Sequence, residues 1–205
     1  MSNLKFELAR DLPTLKVGDR TLYRIRSLRP GQNSPVVGGF VESESNLSQT
    51  GDSWIADDSQ VYGNARVSGD ARVSGDAQVY GNARVFGNAR VFGNALVFGN
   101  AQVFDAARIF GDSQVFGNAS VFGNARVVGN ARVAGNAVVF GNAQVYGNAW
   151  VYGNARVAGN ARVCGNALVC GDAMVFGDAV TFGNARVAGN AVVFGSVRGL
   201  TTNGS

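Results

Sequence analysis

Arginine returns at intervals of eighteen residues, at Arg72, Arg90, Arg108 and Arg126, and again at Arg162 after Gln144 takes one turn. A guanidinium group is planar and permanently charged, and its forked donors match a phosphate or a carboxylate. Two residues after each of these positions stand Ser74, Phe92, Phe110, Val128, Tyr146 and Cys164 in order. Brought onto one line, five guanidinium groups interleaved with rings would form a strip for a polyanion or nucleic acid. The same residues have a structural use, because guanidinium groups laid on ring faces keep an exposed sheet soluble. A second series shares the interval: Phe86, Phe104, Phe122 and Phe140, then Phe176 and Phe194, with Ala158 breaking the run. Between Arg84 and Arg156 the residues flanking this series are Gln102, Ser120 and Val138, none charged, and Met174 follows. An apolar strip of that length, on the order of several hundred Å², exceeds what monomers usually expose. It points to a second subunit or a partner protein, with Phe86, Phe104, Phe122, Val138, Phe140, Met174, Phe176 and Phe194 as the interaction face.

The interval of eighteen acquires meaning from a shorter one. From Val61 to Val193 a six-residue phrase, V-F-G-N-A-R with variations, occurs twenty-three times without insertion or deletion. Position one is Val, with Ile109 and Thr181 as exceptions, and position five is Ala or Ser. These two lie two residues apart, so in an extended strand they share a face, while positions six and two point the opposite way. Gly at position three and Asn or Asp at position four make a corner, since both tolerate left-handed backbone. Three hexads then close a triangular coil of eighteen residues, the hexapeptide form of parallel β-helix. Twenty-four hexads from Ile55 to Val193 predict about eight coils, a prism roughly 40 Å long at ~4.8 Å per rung. The expected class is all-β, a single-domain triangular solenoid with no helix inside it.

Counting in eighteens also defines a third face, which carries Gln60/Tyr62, Gln78/Tyr80, Leu96/Phe98, Gln114/Phe116 and Trp150/Tyr152 among its outward pairs. Trp150 with Tyr152 is its distinctive spot, read as a packing contact in preference to a ligand platform. Asp105-Ala106 replaces Gly-Asn after Phe104, which predicts a locally altered turn.

What the composition lacks narrows the chemistry. There is no histidine, the side chain that most readily exchanges a proton near neutrality. The corner aspartates Asp70, Asp76, Asp112, Asp172 and Asp178 occupy the turn's Asn position and need no ion. No metal, cofactor or catalytic residue is therefore assigned. Cys164 and Cys170 are six apart, on adjacent faces of one coil, where bridging geometry is unfavourable; they read as small substitutes for Phe. Between Val61 and Val193 there are ten Arg, six Asp and neither Lys nor Glu, so the repeats do not mimic acidic DNA.

The ends differ from the repeats. Residues 1–40 hold all three prolines and both lysines, and Leu15-Lys16-Val17, Gly18-Asp19, Arg20 to Arg26 reads as a β-hairpin cap over the first open rung. An irregular opening coil spans 41–60, the regular solenoid 61–197, and a polar tail 198–205. That tail is expected either to fold over the last rung or to leave it to another subunit. Neither a leader peptide nor a membrane-length apolar run is present, so a cytoplasmic location is expected.

The stretch Gly38-Gly39-Phe40-Val41-Glu42-Ser43-Glu44-Ser45-Asn46-Leu47-Ser48-Gln49, followed by Gly51-Asp52-Ser53-Trp54-Ile55, resembles the opening segment of YdcK-type hexapeptide-repeat proteins. These occur in bacteria and in phage or prophage genomes and often carry the name putative transferase. The repeats resemble the left-handed β-helix superfamily, and the left hand is what that resemblance implies. Its best-known members are acyltransferases that use a histidine base and loops extruded from the coils, and its carbonic anhydrases bind zinc through histidines. This chain offers neither histidines nor extruded loops between Val61 and Val193, so an acyltransferase activity would rest on fold analogy alone. The preferred expectation is a non-enzymatic scaffold that associates through the Phe-rich face, as homo-oligomer or with a protein partner. Polyanion or nucleic-acid binding by the Arg column, in a phage-encoded protein engaging a host component, is the alternative.

Overall fold

Short strands and tight corners follow directly from the phrase. The computed structural model describes residues 4–29, 36–198 and 201–204. In the regular region most strands are two residues long, positions six and one of each hexad, as at Arg84–Val85 or Gln102–Val103. Every corner glycine from Gly51 to Gly189 has φ between 62° and 75°. Gly117 shows why no other residue serves: besides its φ of +73°, a Cβ there would stand 2.9 Å from the Gly135 amide of the next turn. The strands stack in parallel into three sheets of 13, 8 and 9 strands, and residues eighteen apart are direct partners, as Arg90 is with Arg72 and Arg108. The Val and Ala columns are fully buried inside.

The stack has a direction. Amides at positions six, two and four donate to carbonyls seventeen residues onward: Arg84 N to Ala101 O at 2.9 Å, Phe86 N to Val103 O at 3.0 Å, Asn88 N to Asp105 O at 2.7 Å. The lowest coil therefore turns the carbonyls of positions five, one and three outward, and buried carbonyls require donors. Cationic side chains from the amino-terminal segment supply them. Lys5 Nζ donates to Ser53 O at 2.9 Å and Arg29 Nη2 to Gly51 O at 3.0 Å, while Arg24 Nη1 reaches Asp57 O at 2.6 Å and Gly38 O at 3.1 Å. Lys5 is buried; burial, helped by Arg29 and opposed by Asp52, pushes its ammonium down to about 8.

The same segment closes one sheet edge. β1 (Phe6–Leu8) and β2 (Leu15–Val17) each pair antiparallel with β3 (Arg20–Ser27), which pairs antiparallel with β4 (Val37–Val41). β4 is the first parallel rung, against Gln60–Val61. Next come a 3-10 turn at Glu44–Asn46 and a bridge from Leu47 to Val67. Two residues beyond the hexad period then let Gln49 swing out. Its side chain accepts from Lys5 N at 2.9 Å and donates to Phe6 O at 3.1 Å, satisfying the backbone of β1.

At the corners, side chains repeat the stacking of the backbone. Asn64, Asn82, Asn100, Asn118, Asn136 and Asn154 each donate Nδ2 to the Oδ1 of the residue one turn on, at 2.8–3.0 Å, ending on Asp172. A second corner runs Asn124, Asn142, Asn160 to Asp178, and in the third Asn94 donates to Asp112. A carboxylate accepts but has nothing to donate, so an ascending ladder stops where Asp stands.

Three expectations need correction. The opening coil and the carboxy-terminal residues bring the solenoid to about nine turns, not eight: Trp54–Ile55 stacks on Arg72–Val73, and Ser196–Arg198 on Val180–Phe182. The tail extends two faces as parallel strands instead of folding over the last rung. Thr201–Gly204 pairs with Arg186–Gly189, while Gly199, Leu200 and Ser205 lie outside the described residues, as do 1–3 and 30–35. The Asp105 corner is not altered either. Asp105 adopts φ of 55°, the ladder bonds Asn88 N to Asp105 O and Ala106 N to Gly123 O persist, and the carboxylate accepts from Gly123 N at 3.1 Å. Asp57 does the same one coil lower than Gly75, at 2.8 Å. Short acidic side chains tolerate the left-handed region and here use it to reach the next turn. Among the described residues no helix is long and apolar enough to cross a membrane.

Candidate functional site

The Phe face is the 8-stranded sheet. Its rings stand over one another, Phe86 to Phe104 at 4.9 Å between centroids, Phe104 to Phe122 at 4.7 Å and Phe122 to Phe140 at 5.2 Å, all within 9° of parallel. Stacking half-buries each ring and turns the ladder's edges outward. Val138 lies beside it, between Ser120 and Arg156 in register. Where Ala158 omits a ring, a depression of about 230 Å³ opens between Phe140, Arg156, Met174 and Phe176. Above it Phe176 meets Phe194 edge-on at 4.0 Å. Met174, Val192 and Phe194 are the face's most exposed apolar residues, Phe194 at 66%.

The five arginines lie where counting in eighteens puts them. Arg72, Arg90, Arg108 and Arg126 are consecutive register partners, and Gln144 separates Arg126 from Arg162. All five are exposed. The guanidinium groups placed over rings among the described residues are those of Arg10, Arg24 and Arg198. Ion pairs there involve Arg20, Arg24, Arg26 and Arg29. None of these belongs to the column, so its charge is neither laid on the neighbouring Phe rings nor neutralised by a carboxylate.

The third face carries more than the sequence reading took from it. Tyr62, Tyr80, Phe98 and Phe116 form a second ladder, with centroids 4.9–5.1 Å apart. Reading the face as mixed pairs hid this column; reading every eighteenth residue reveals it. Trp150 and Tyr152 sit 4.8 Å apart at 41°. At the capped end of this face lies a cleft of about 770 Å³, lined by Tyr62 and Tyr80 and by Asn64 and Asn82. Arg20 and Glu42 close it, the guanidinium donating to both carboxylate oxygens at 2.8 and 2.6 Å. Burial by itself would raise the Glu42 carboxyl, but the Gly63 amide and Arg20 outweigh it and hold it below the usual range. Burial raises the Tyr62 and Tyr80 hydroxyls. Cys164 and Cys170 are free, Cys170 buried.

Stretches 59–76, 77–91, 89–105, 143–157 and 149–165 each match the family model for the YdcK beta solenoid repeat. The chain is a β-solenoid repeat protein, and in these stretches its repeats are of the YdcK type. No curated protein matches it. The matched windows of the solenoid fall in its lower and upper coils. Residues 106–142 between them hold the same register, rung on rung. The repeat type accounts for the inward Val and Ala and for the corners. A fold does not by itself name a function, so the outward columns are where one is sought.

Proposed function

We propose that this protein is a non-enzymatic rigid scaffold that pairs with a second copy of itself through the Phe face. The observation that carries the reading is the uncharged ladder of Phe86, Phe104, Phe122 and Phe140 between Arg84 and Arg156, continued by exposed Met174, Val192 and Phe194. A straight ladder makes a flat strip, and a flat strip is complementary to itself under a two-fold axis. The depression beside Ala158 gives an apolar side chain of the second copy a place to enter. Light scattering at micromolar concentration should give at least the dimer mass. Phe122→Arg with Phe140→Arg should return the monomer while circular dichroism stays unchanged. A wild-type chain that is monodisperse and monomeric removes the reading.

A second reading is favoured by the bare column: binding of a polyanion, nucleic acid included, along Arg72, Arg90, Arg108, Arg126 and Arg162. Five phosphate contacts on duplex DNA correspond to a log–log salt slope of about −4.5. Arg90→Ala/Arg108→Ala/Arg126→Ala should abolish the binding, and an affinity indifferent to salt or to these substitutions excludes it.

A further inference from the structure

We infer that the cleft between the cap and the first two regular coils is a binding site for a neutral saccharide. It is the roomiest concavity described above, at about 770 Å³, within the range that encloses small ligands. Two of its lining residues, Gly63 and Gly81, carry no side chain.

The polar groups around it define the ligand class. Glu42 is engaged at both oxygens, its Oε2 taking the Gly63 amide at 2.7 Å and both oxygens taking Arg20. The two charges cancel, and neither an anion nor a cation is preferred. Arg20 spends only Nη1 on Glu42, and the rest of the polar lining is hydroxyl and carboxamide. Tyr62 and Tyr80 keep their phenolic protons, and a phenol both donates and accepts. Tyr80 is stacked on both faces, by Tyr62 at 5.1 Å and Phe98 at 5.0 Å, and presents its edge and hydroxyl, whereas among the described residues Tyr62 has a ring on one face alone. Asn64 starts its ladder: Nδ2 is spent on Asn82, and no lower rung donates to Oδ1, because Asn46 one turn below directs its own amide to Gly63 O and Ala65 O. Ser43 and Ser45, whose hydroxyls lie 2.7 Å apart, add two groups that both donate and accept. A polyhydroxylated, uncharged molecule answers that array group for group. From the cleft the Tyr–Phe ladder and the Asn ladder run side by side up one corner. An oligosaccharide would therefore anchor its terminal sugar at the cap and lie along the prism axis.

Isothermal titration of the full chain with maltopentaose, cellopentaose and chitopentaose separately, with a heparin hexasaccharide as anionic control, tests this. The expected result is saturable binding of at least one neutral pentasaccharide that is unchanged between low and high salt. Tyr80→Phe, which keeps the ring stack and removes one hydroxyl, should weaken it about three- to tenfold, and Asn64→Ala by a similar factor. Phe122→Arg/Phe140→Arg should leave it intact, separating this site from the self-association reading. The inference is overturned if none of the three binds at millimolar concentration. It is equally overturned if binding survives both cleft substitutions or only the heparin fragment binds.

Discussion

Thr181 is the one position-one residue that carries a hydroxyl, and it offers a sharp test of how the interior is built. The side chain is fully buried and its Oγ1 has no hydrogen-bond partner among the described residues. Its register neighbours are Val163 below and Val197 above, so the hydroxyl faces an apolar column. Thr181→Val exchanges it for a methyl of nearly the same size, leaving the packing in place. An unsatisfied buried hydroxyl costs about 1–3 kcal/mol, and that is the stabilisation expected. At about 2–4 °C per kcal/mol for a chain of this length, a melting scan should resolve it. Because each coil of a solenoid contacts only its neighbours, the gain should be local. Hydrogen exchange should slow most at amides bonded across this rung, Cys164 N to Thr181 O among them. Ser113→Ala is the control: that buried hydroxyl donates to Phe110 O at 3.0 Å and to Val127 O at 3.3 Å, so its removal should gain nothing. If Thr181→Val lowers stability, or leaves exchange around Cys164 unchanged, the orphaned hydroxyl is not a cost and the reasoning fails.

Gly117→Ala should destabilise by about 1–3 kcal/mol, from a left-handed backbone and a 2.9 Å approach to the Gly135 amide. Gly177→Ala has φ of +66° but no neighbour within 4 Å, so in urea titrations it should cost less; equal losses would discount the stacking contact. Stability should also rise with pH from about 8 toward 10. Lys5 is depressed to about 8 in the fold, so across that window the unfolded chain binds the extra proton, and raising pH favours the folded state. Above that window Tyr62 and Tyr80, raised in the fold, act in the opposite sense. Urea midpoints against pH should show the rise in wild type and a flat profile in Lys5→Met.

The period of six, read from inward Val and Ala, was enough to place Arg90 beside Arg108 and Phe104 beside Phe122, because an unbroken register leaves no freedom in the stack. The Tyr62–Phe116 ladder was equally readable and was missed by taking residues in pairs along the chain instead of in columns across it. Other features needed coordinates. That Lys5, Arg24 and Arg29 cap carbonyls of the lowest coil depends on the direction of the interstrand bonds, which no residue type encodes. The tail forms strands without the hexad phrase, since the open edge of Val180–Phe182 pairs with any extended backbone that reaches it. Asp105 misled because two permissive residues were lost together; its carboxylate bond to Gly123 N supplies a reason for Asp that the phrase does not contain.

The one-way carboxamide ladders set how this molecule ages. Deamidation turns Asn into Asp, an acceptor with no donor. At Asn100 it would leave the bond from Asn82 standing and erase the one toward Asn118. A single event thus cuts one corner once, on the side away from the cap, and the main-chain bonds beside it hold. Two events on successive rungs differ in kind, for they set like charges one rung apart. Wear therefore shortens ladders singly until two charges fall one rung apart, which a single event at Asn154, next to Asp172, already brings about, and the corner that begins at Asn64, carrying the longest run, has the most to lose.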